Sequence, residues 1–100
     1  MREKLEEKLS RFEELEAMII DPEVLANSEQ LARVMREHGS LMRLASTYRN
    51  FKKVIDEITE VDEMAQSSDP EEREMAEAEL LELKKQREQI WEELLNMTVG

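Results

Sequence analysis

The chain contains no cysteine, so neither a disulfide framework nor thiol chemistry is open to it. Two prolines and two glycines in 100 residues suit extended helices better than a sheet. Aromatic residues are scarce: Phe12, Tyr48, Phe51 and Trp91. The core therefore falls to Leu, Ile, Val, Ala and Met, and a core so composed is thin and of modest stability. No apolar run approaches bilayer length. The opening Met1-Arg2-Glu3-Lys4 is charged from the start, unlike a signal peptide. One hundred residues make a single small domain, expected to be cytoplasmic, with no membrane partner.

Catalytic chemistry is equally thinly supplied. His38 is the only histidine. With no second His and no Cys, neither a zinc site nor a Ser-His-Asp arrangement is expected. Gly39 and Gly100 cannot build a phosphate-cradling loop. The many carboxylates stand at helical spacing on solvent faces, which is weak ground for acid–base work. The sequence thus predicts no enzyme, no cofactor and no small-molecule substrate. His38 reads as a half-buried packing residue. Trp91 and the methionines could anchor a partner helix, but Ile90, Trp91, Leu94 and Leu95 read more simply as the thick end of a core.

What the chain does have is helical periodicity. The stretch from Ser28 to Gln66 has no proline and one glycine. Leu31, Val34, Met35, His38, Leu41, Met42, Ala45, Tyr48, Phe51, Ile55, Ile58 and Val61 return every three or four places. That spacing gathers apolar groups on one side of a helix. At about 1.5 Å per residue the helix would run roughly 58 Å, too long to bury its stripe alone. From Ala45 to Phe51 the stripe advances in threes and swings around the rod. Gly39-Ser40 and Ser46-Thr47 lie in the same region and are poor helix formers. A kink or short break is expected between residues 39 and 47.

The flanking segments supply the cover. Leu5, Leu9, Phe12, Leu15 and Ile19 form a coiled-coil-like seam over residues 2–20. Asp21-Pro22 should end that helix, because the residue before proline disfavours helical backbone. Pro22 to Ala26 can form one turn of its own, and Asn27 or Ser28 then caps the central helix, with Gln30 placed for a capping box. Asp69-Pro70-Glu71-Glu72 is a helix start in composition and order. Ala76, Leu80, Leu83, Ile90, Leu94 and Met97 keep heptad spacing behind it, interrupted by Arg87. Thr98-Val99-Gly100 should fray. The expected fold class is all-α: an elongated antiparallel three-helix bundle, coiled-coil-like, with helices at about 2–20, 28–66 and 70–97, its central helix kinked or broken near 39–47.

The charge is unevenly placed. The net charge is −11, which disfavours casual binding to nucleic acid or anionic membrane. Yet the segment from Arg33 to Lys53 carries Arg33, Arg36, Arg43, Arg49, Lys52 and Lys53 against Glu37 alone, a local net of +5. These cations can pair with acidic residues on the flanking helices. They can also face an anionic partner. On an ideal helix the first three and the last three point to different sides. They are the candidate contact residues.

Four segments occur in order: Phe12-Glu-Glu-Leu-Glu-Ala17, Asp21-Pro-Glu-Val24, Tyr48-Arg-Asn-Phe-Lys-Lys53 and Asp69-Pro-Glu-Glu-Arg-Glu-Met-Ala-Glu-Ala-Glu-Leu80. Together they resemble the N-terminal domain of bacterial class I peptide chain release factors, of the kind that reads UAA and UAG. The resemblance covers residues 5 to about 95. It departs at His38, where family members often have Tyr, and at Arg43, where they often have Pro. It also departs at Leu95-Asn-Met-Thr-Val-Gly100, where the family continues into a Leu-Leu-Pro-Lys-Asp-Pro-like segment. The family reads codons through a Pro-x-Thr-like tripeptide and promotes peptidyl-tRNA hydrolysis through Gly-Gly-Gln. Pro22 and Pro70 are each followed by Glu, and there is no glycine pair. The resemblance implies the first domain of a longer factor, docking at the stalk base of the large ribosomal subunit on ribosomal RNA and a stalk-base protein. It implies further partners in the downstream domains and the recycling GTPase. The competing reading is a generic acidic helical adaptor or self-associating coiled coil.

Overall fold

The structure is a computed structural model and describes residues 1–99. Four helices follow one another: α1 (Arg2–Ile19), α2 (Pro22–Leu25), α3 (Ser28–Met64) and α4 (Pro70–Val99). No strand occurs among the described residues. The fold is the all-α helical bundle that the periodicity predicts, with helix limits within a few residues of those read from the sequence.

The junctions form as their sequences dictate. Ile20 closes α1 at φ −100°, and Asp21 takes the extended backbone (φ −74°, ψ 123°) that Pro22 demands. Asp21 then caps α2, its side chain accepting from the Glu23 N–H at 2.9 Å. Asn27 Oδ1 accepts from Gln30 N–H at 3.1 Å and so opens α3. Asp69 does the same for α4, accepting from Glu71 N–H at 3.1 Å, with Pro70 at the first helical position. Ser67 Oγ accepts from Asp69 N–H and donates to Glu72, tying the turn to the helix it precedes.

Two expectations change. First, of the kink or short break expected at residues 39–47, the break does not occur: α3 is helical throughout. Gly39 keeps a negative φ. The Ser40 and Thr47 hydroxyls donate to the carbonyls of Glu37 (2.7 Å) and Arg43 (2.8 Å), so these poor helix formers are satisfied within the helix. Such back-bonding accompanies bending of a helix and does not require a break. Second, α4 continues past Met97 to Val99, and Thr98 Oγ1 bonds back to the carbonyls of Leu94 and Leu95. The rest of the expected fray, Gly100, lies outside the described residues.

The chain divides into two compact units, Met1–Tyr48 and Arg49–Gly100. In the first, α1 buries Leu5, Leu9, Phe12 and Leu15, the predicted seam. Leu15, Val24 and Val34 form an apolar cluster with Met18, Ile19, Leu31 and Leu41 packed on it. Phe12 stacks on His38, ring centroids 4.4 Å apart and planes 19° from parallel, so His38 is the half-buried packing residue its position suggests. Tyr48 meets Glu6. Contacts that run up α3 as they run down α1 make the two helices antiparallel.

In the second unit, the later part of α3 meets α4. Val54, Val61, Ala76, Leu80 and Leu83 form the cluster, with Ile58, Ala65 and Ile90 packed against it. Phe51 meets Trp91 at a centroid distance of 5.2 Å, tilted by 34°. Trp91 is half-buried and Leu94 fully buried, as a core reading requires, whereas Leu95 is exposed. The predicted stripe misplaces two residues. Met35 and Met42 are each 51% exposed, while Val54, absent from the series, is buried. On an α-helix Met35 and Met42 lie about 80–120° from the directions of Val34 and Leu41, at the edge of the face that α1 covers.

Candidate nucleic-acid interface

The six predicted contact residues divide between the units. Arg33, Arg36 and Arg43 belong to the first, and all three are exposed. Helical geometry turns Arg36 and Arg43 away from buried Val34 and Ala45. Arg33, Arg36 and Arg43 make no ion pair among the described residues. Arg49, Lys52 and Lys53 belong to the second unit. Arg49 and Lys53 are exposed and Lys52 is half-buried. Arg49 and Lys52 each have an interaction partner within the protein.

A second group of cations was hidden in the sequence. An open cleft of about 440 Å³ between α1 and α3 is lined by Lys4, Glu7, Lys8, Arg11, Glu37 and Leu41. Lys4, Lys8 and Arg11 recur at four and three along α1, the spacing of one helix side. Glu3, Glu6 and Glu7 are interleaved with them, so a running charge average stays near zero. The fold sorts the charges instead. Arg2, Glu3 and Glu6, with Glu7 shared, line a separate hollow against Tyr48.

An ion pair spans the cleft, joining its α1 wall to its α3 wall. Arg11 Nε and Nη2 donate to Glu37 Oε2 and Oε1 at 2.6 and 2.8 Å, a two-pronged fork, and Nη1 donates to Glu14 Oε2 at 3.0 Å. Hydrogen bonding from Arg11 holds the Glu37 carboxyl below the usual glutamate range, with partial burial opposing the shift. The same bonds raise the Arg11 guanidinium further above an already high value. Both side chains are 43% exposed, so the pair orients the walls more than it stabilises the fold. Among the described residues no group of three His, Cys, Asp or Glu side chains is placed to hold a metal ion. No described helix is long and apolar enough to cross a membrane.

A family model for the PCRF domain matches residues 8–99. The chain is 48% identical over 87 residues to peptide chain release factor 1 of Geotalea uraniireducens, covering 87% of this chain and 24% of that protein. It is 43% identical over 90 residues to peptide chain release factor 1 of Geobacter sulfurreducens, covering 90% and 25%. It is 38% identical over 90 residues to the Myxococcus xanthus protein of the same name, again covering 90% and 25%. The chain thus spans about a quarter of the length of these relatives. No solved structure matches it.

Proposed function

The chain belongs to the PCRF domain family, and on that premise we propose that it is the ribosome-docking domain of a peptide chain release factor. It acts in translation termination at UAA and UAG, in the cytoplasm, and has no catalytic part of its own. Residues 1–100 work as one helical domain, the first of the longer factor. Codon reading and Gly-Gly-Gln-dependent hydrolysis of peptidyl-tRNA belong to the remainder. The partners are ribosomal RNA and protein at the stalk base of the large subunit, the downstream domains and the recycling GTPase.

The observation that carries this reading is likeness over nine-tenths of the chain to proteins named peptide chain release factor 1. The cations of α3 lend it a mechanism. Arg33, Arg36, Arg43, Arg49, Lys52 and Lys53 supply positive charge on a chain of net −11, and phosphates would be held by them in a salt-dependent way.

A backbone NMR titration tests it, using stalk-base RNA with its bound protein at low and high salt. Salt-sensitive shifts between Arg33 and Lys53 are expected. Shifts confined to the turns near Asp21–Ala26 or Gln66–Pro70 would keep docking and remove the cationic mechanism. Absence of any shift, repeated with the longer factor, would overturn the reading. Charge reversal at Arg49 and Lys52 in that factor should weaken its ribosome binding.

A further inference from the structure

We propose that the cleft between α1 and α3 is a seat for the phosphate backbone of RNA, with Lys4 and Lys8 as its principal anchors. This rests on the docking reading above and moves its centre in the first unit from α3 to α1.

Three observations carry it. Lys4 and Lys8 line the cleft, are exposed and make no ion pair among the described residues. Of the two carboxylates that line the cleft, Glu7 and Glu37, Glu37 already has both oxygens committed to the fork of Arg11. The cleft therefore holds three cations against two carboxylates, on a chain whose net charge is −11. The row also has direction. Lys4 and Lys8 stand one turn apart, about 6 Å along α1, and Arg11 continues the line. Across the cleft Arg33 lies one turn before Glu37 and within about 40° of it around α3, extending the positive row past the ion pair.

The geometry favours a phosphate chain over an acidic peptide. The backbone amides of α1 and α3 are spent within their helices, so the cleft offers no strand edge and no nest of free N–H groups for a peptide to pair with. It offers flexible ammonium groups over the side of Leu41. Such a surface recognises regularly spaced charge without reading sequence.

The test compares the unsubstituted chain with the Lys4→Gln/Lys8→Gln double variant and with Lys4→Arg/Lys8→Arg. Dissociation constants for stalk-base RNA are measured between about 50 and about 200 mM salt. The glutamine pair should weaken binding at low salt and make the log–log salt slope shallower by about 2, roughly one for each phosphate that is no longer neutralised. The arginine pair should restore both. Circular dichroism should show the same helix content in all three. If the unsubstituted chain binds RNA and the glutamine pair matches it in affinity and slope, the cleft is not the seat, although docking stands. If the chain binds no RNA but takes up polyglutamate, the cleft serves an acidic protein and the proposal is wrong. If it binds neither, the cleft and the RNA-docking reading fall together.

Discussion

Tyr48 donates its phenolic hydrogen to the Glu6 carboxylate at 2.7 Å while its own side chain is wholly buried. Residues 42 positions apart in sequence are thereby joined. The ring fills the apolar interior and the hydroxyl reaches the rim, where a carboxylate can stay partly hydrated. Tyr48→Phe keeps the packing and removes the bond. It should cost about 1.5–3 kcal/mol, the range for a hydrogen bond to a charged acceptor. Glu6→Gln should cost less, because the amide oxygen still accepts. Urea unfolding of the two single variants and the double variant measures the coupling, and strict additivity would refute it.

The Arg11–Glu37 fork has a pH signature with a definite sign. The folded-state pKa of Glu37 lies below its unfolded value, through hydrogen bonding from Arg11 first and with burial opposing. The pair's contribution is therefore present above the ordinary glutamate range and disappears as pH falls through the depressed folded value. Glu37→Gln should be less stable than the unsubstituted chain at neutral pH and indistinguishable from it in strong acid. Denaturant midpoints across the acid range check this. A difference that does not change with pH would show that Glu37 acts only through packing.

Gly39 sits mid-helix at negative φ, and a β-carbon there would meet nothing within 4 Å. Its backbone freedom is not used. Gly39→Ala should stabilise the chain by about 1 kcal/mol, the propensity difference between the two residues. The melting temperature should rise by about 4–8 °C. A fall would mean that the backbone near Gly39 needs more latitude than its φ suggests.

Leu80 and Leu81 are neighbours of identical chemistry and opposite fate. Leu80 is 8% exposed within the second unit's cluster and Leu81 is 76% exposed. Leu80→Ala should cost about 2–5 kcal/mol through weakened packing and the hole left behind. Leu81→Ala should stay within about 0.5 kcal/mol. Thermal melts of the pair settle the helix phase of α4 directly.

Much of the fold was legible because its signals are local. The proline junctions at Pro22 and Pro70, the caps at Asn27 and Asp69, and the seam from Leu5 to Leu15 depend on residues within a turn or two of each other. The sequence predicts a kink or short break near Gly39, and the helix stays continuous there for the complementary reason. Propensity at Gly39-Ser40 and Ser46-Thr47 is weak, but buried Val34, Ala45 and Tyr48 hold that stretch helical, and two hydroxyls bond back to the chain.

The candidate interface divides in the same way. Arg33, Arg36 and Arg43 stand out in sequence because few acids interrupt them, and the structure leaves them exposed. Lys4 and Lys8 are interleaved with Glu3, Glu6 and Glu7 when read linearly. Their separation from Glu3 and Glu6 exists only once α1 has chosen which side to bury against α3. Sequence by itself determined the helices, their caps and the order of charges, since each follows from hydrogen bonds and sterics among near neighbours. Tertiary structure alone decided which charges share a surface and which cancel. Glu37 is one acid among many until Arg11, 26 residues away, takes both its oxygens and leaves Glu7 as the cleft's remaining carboxylate beside two lysines.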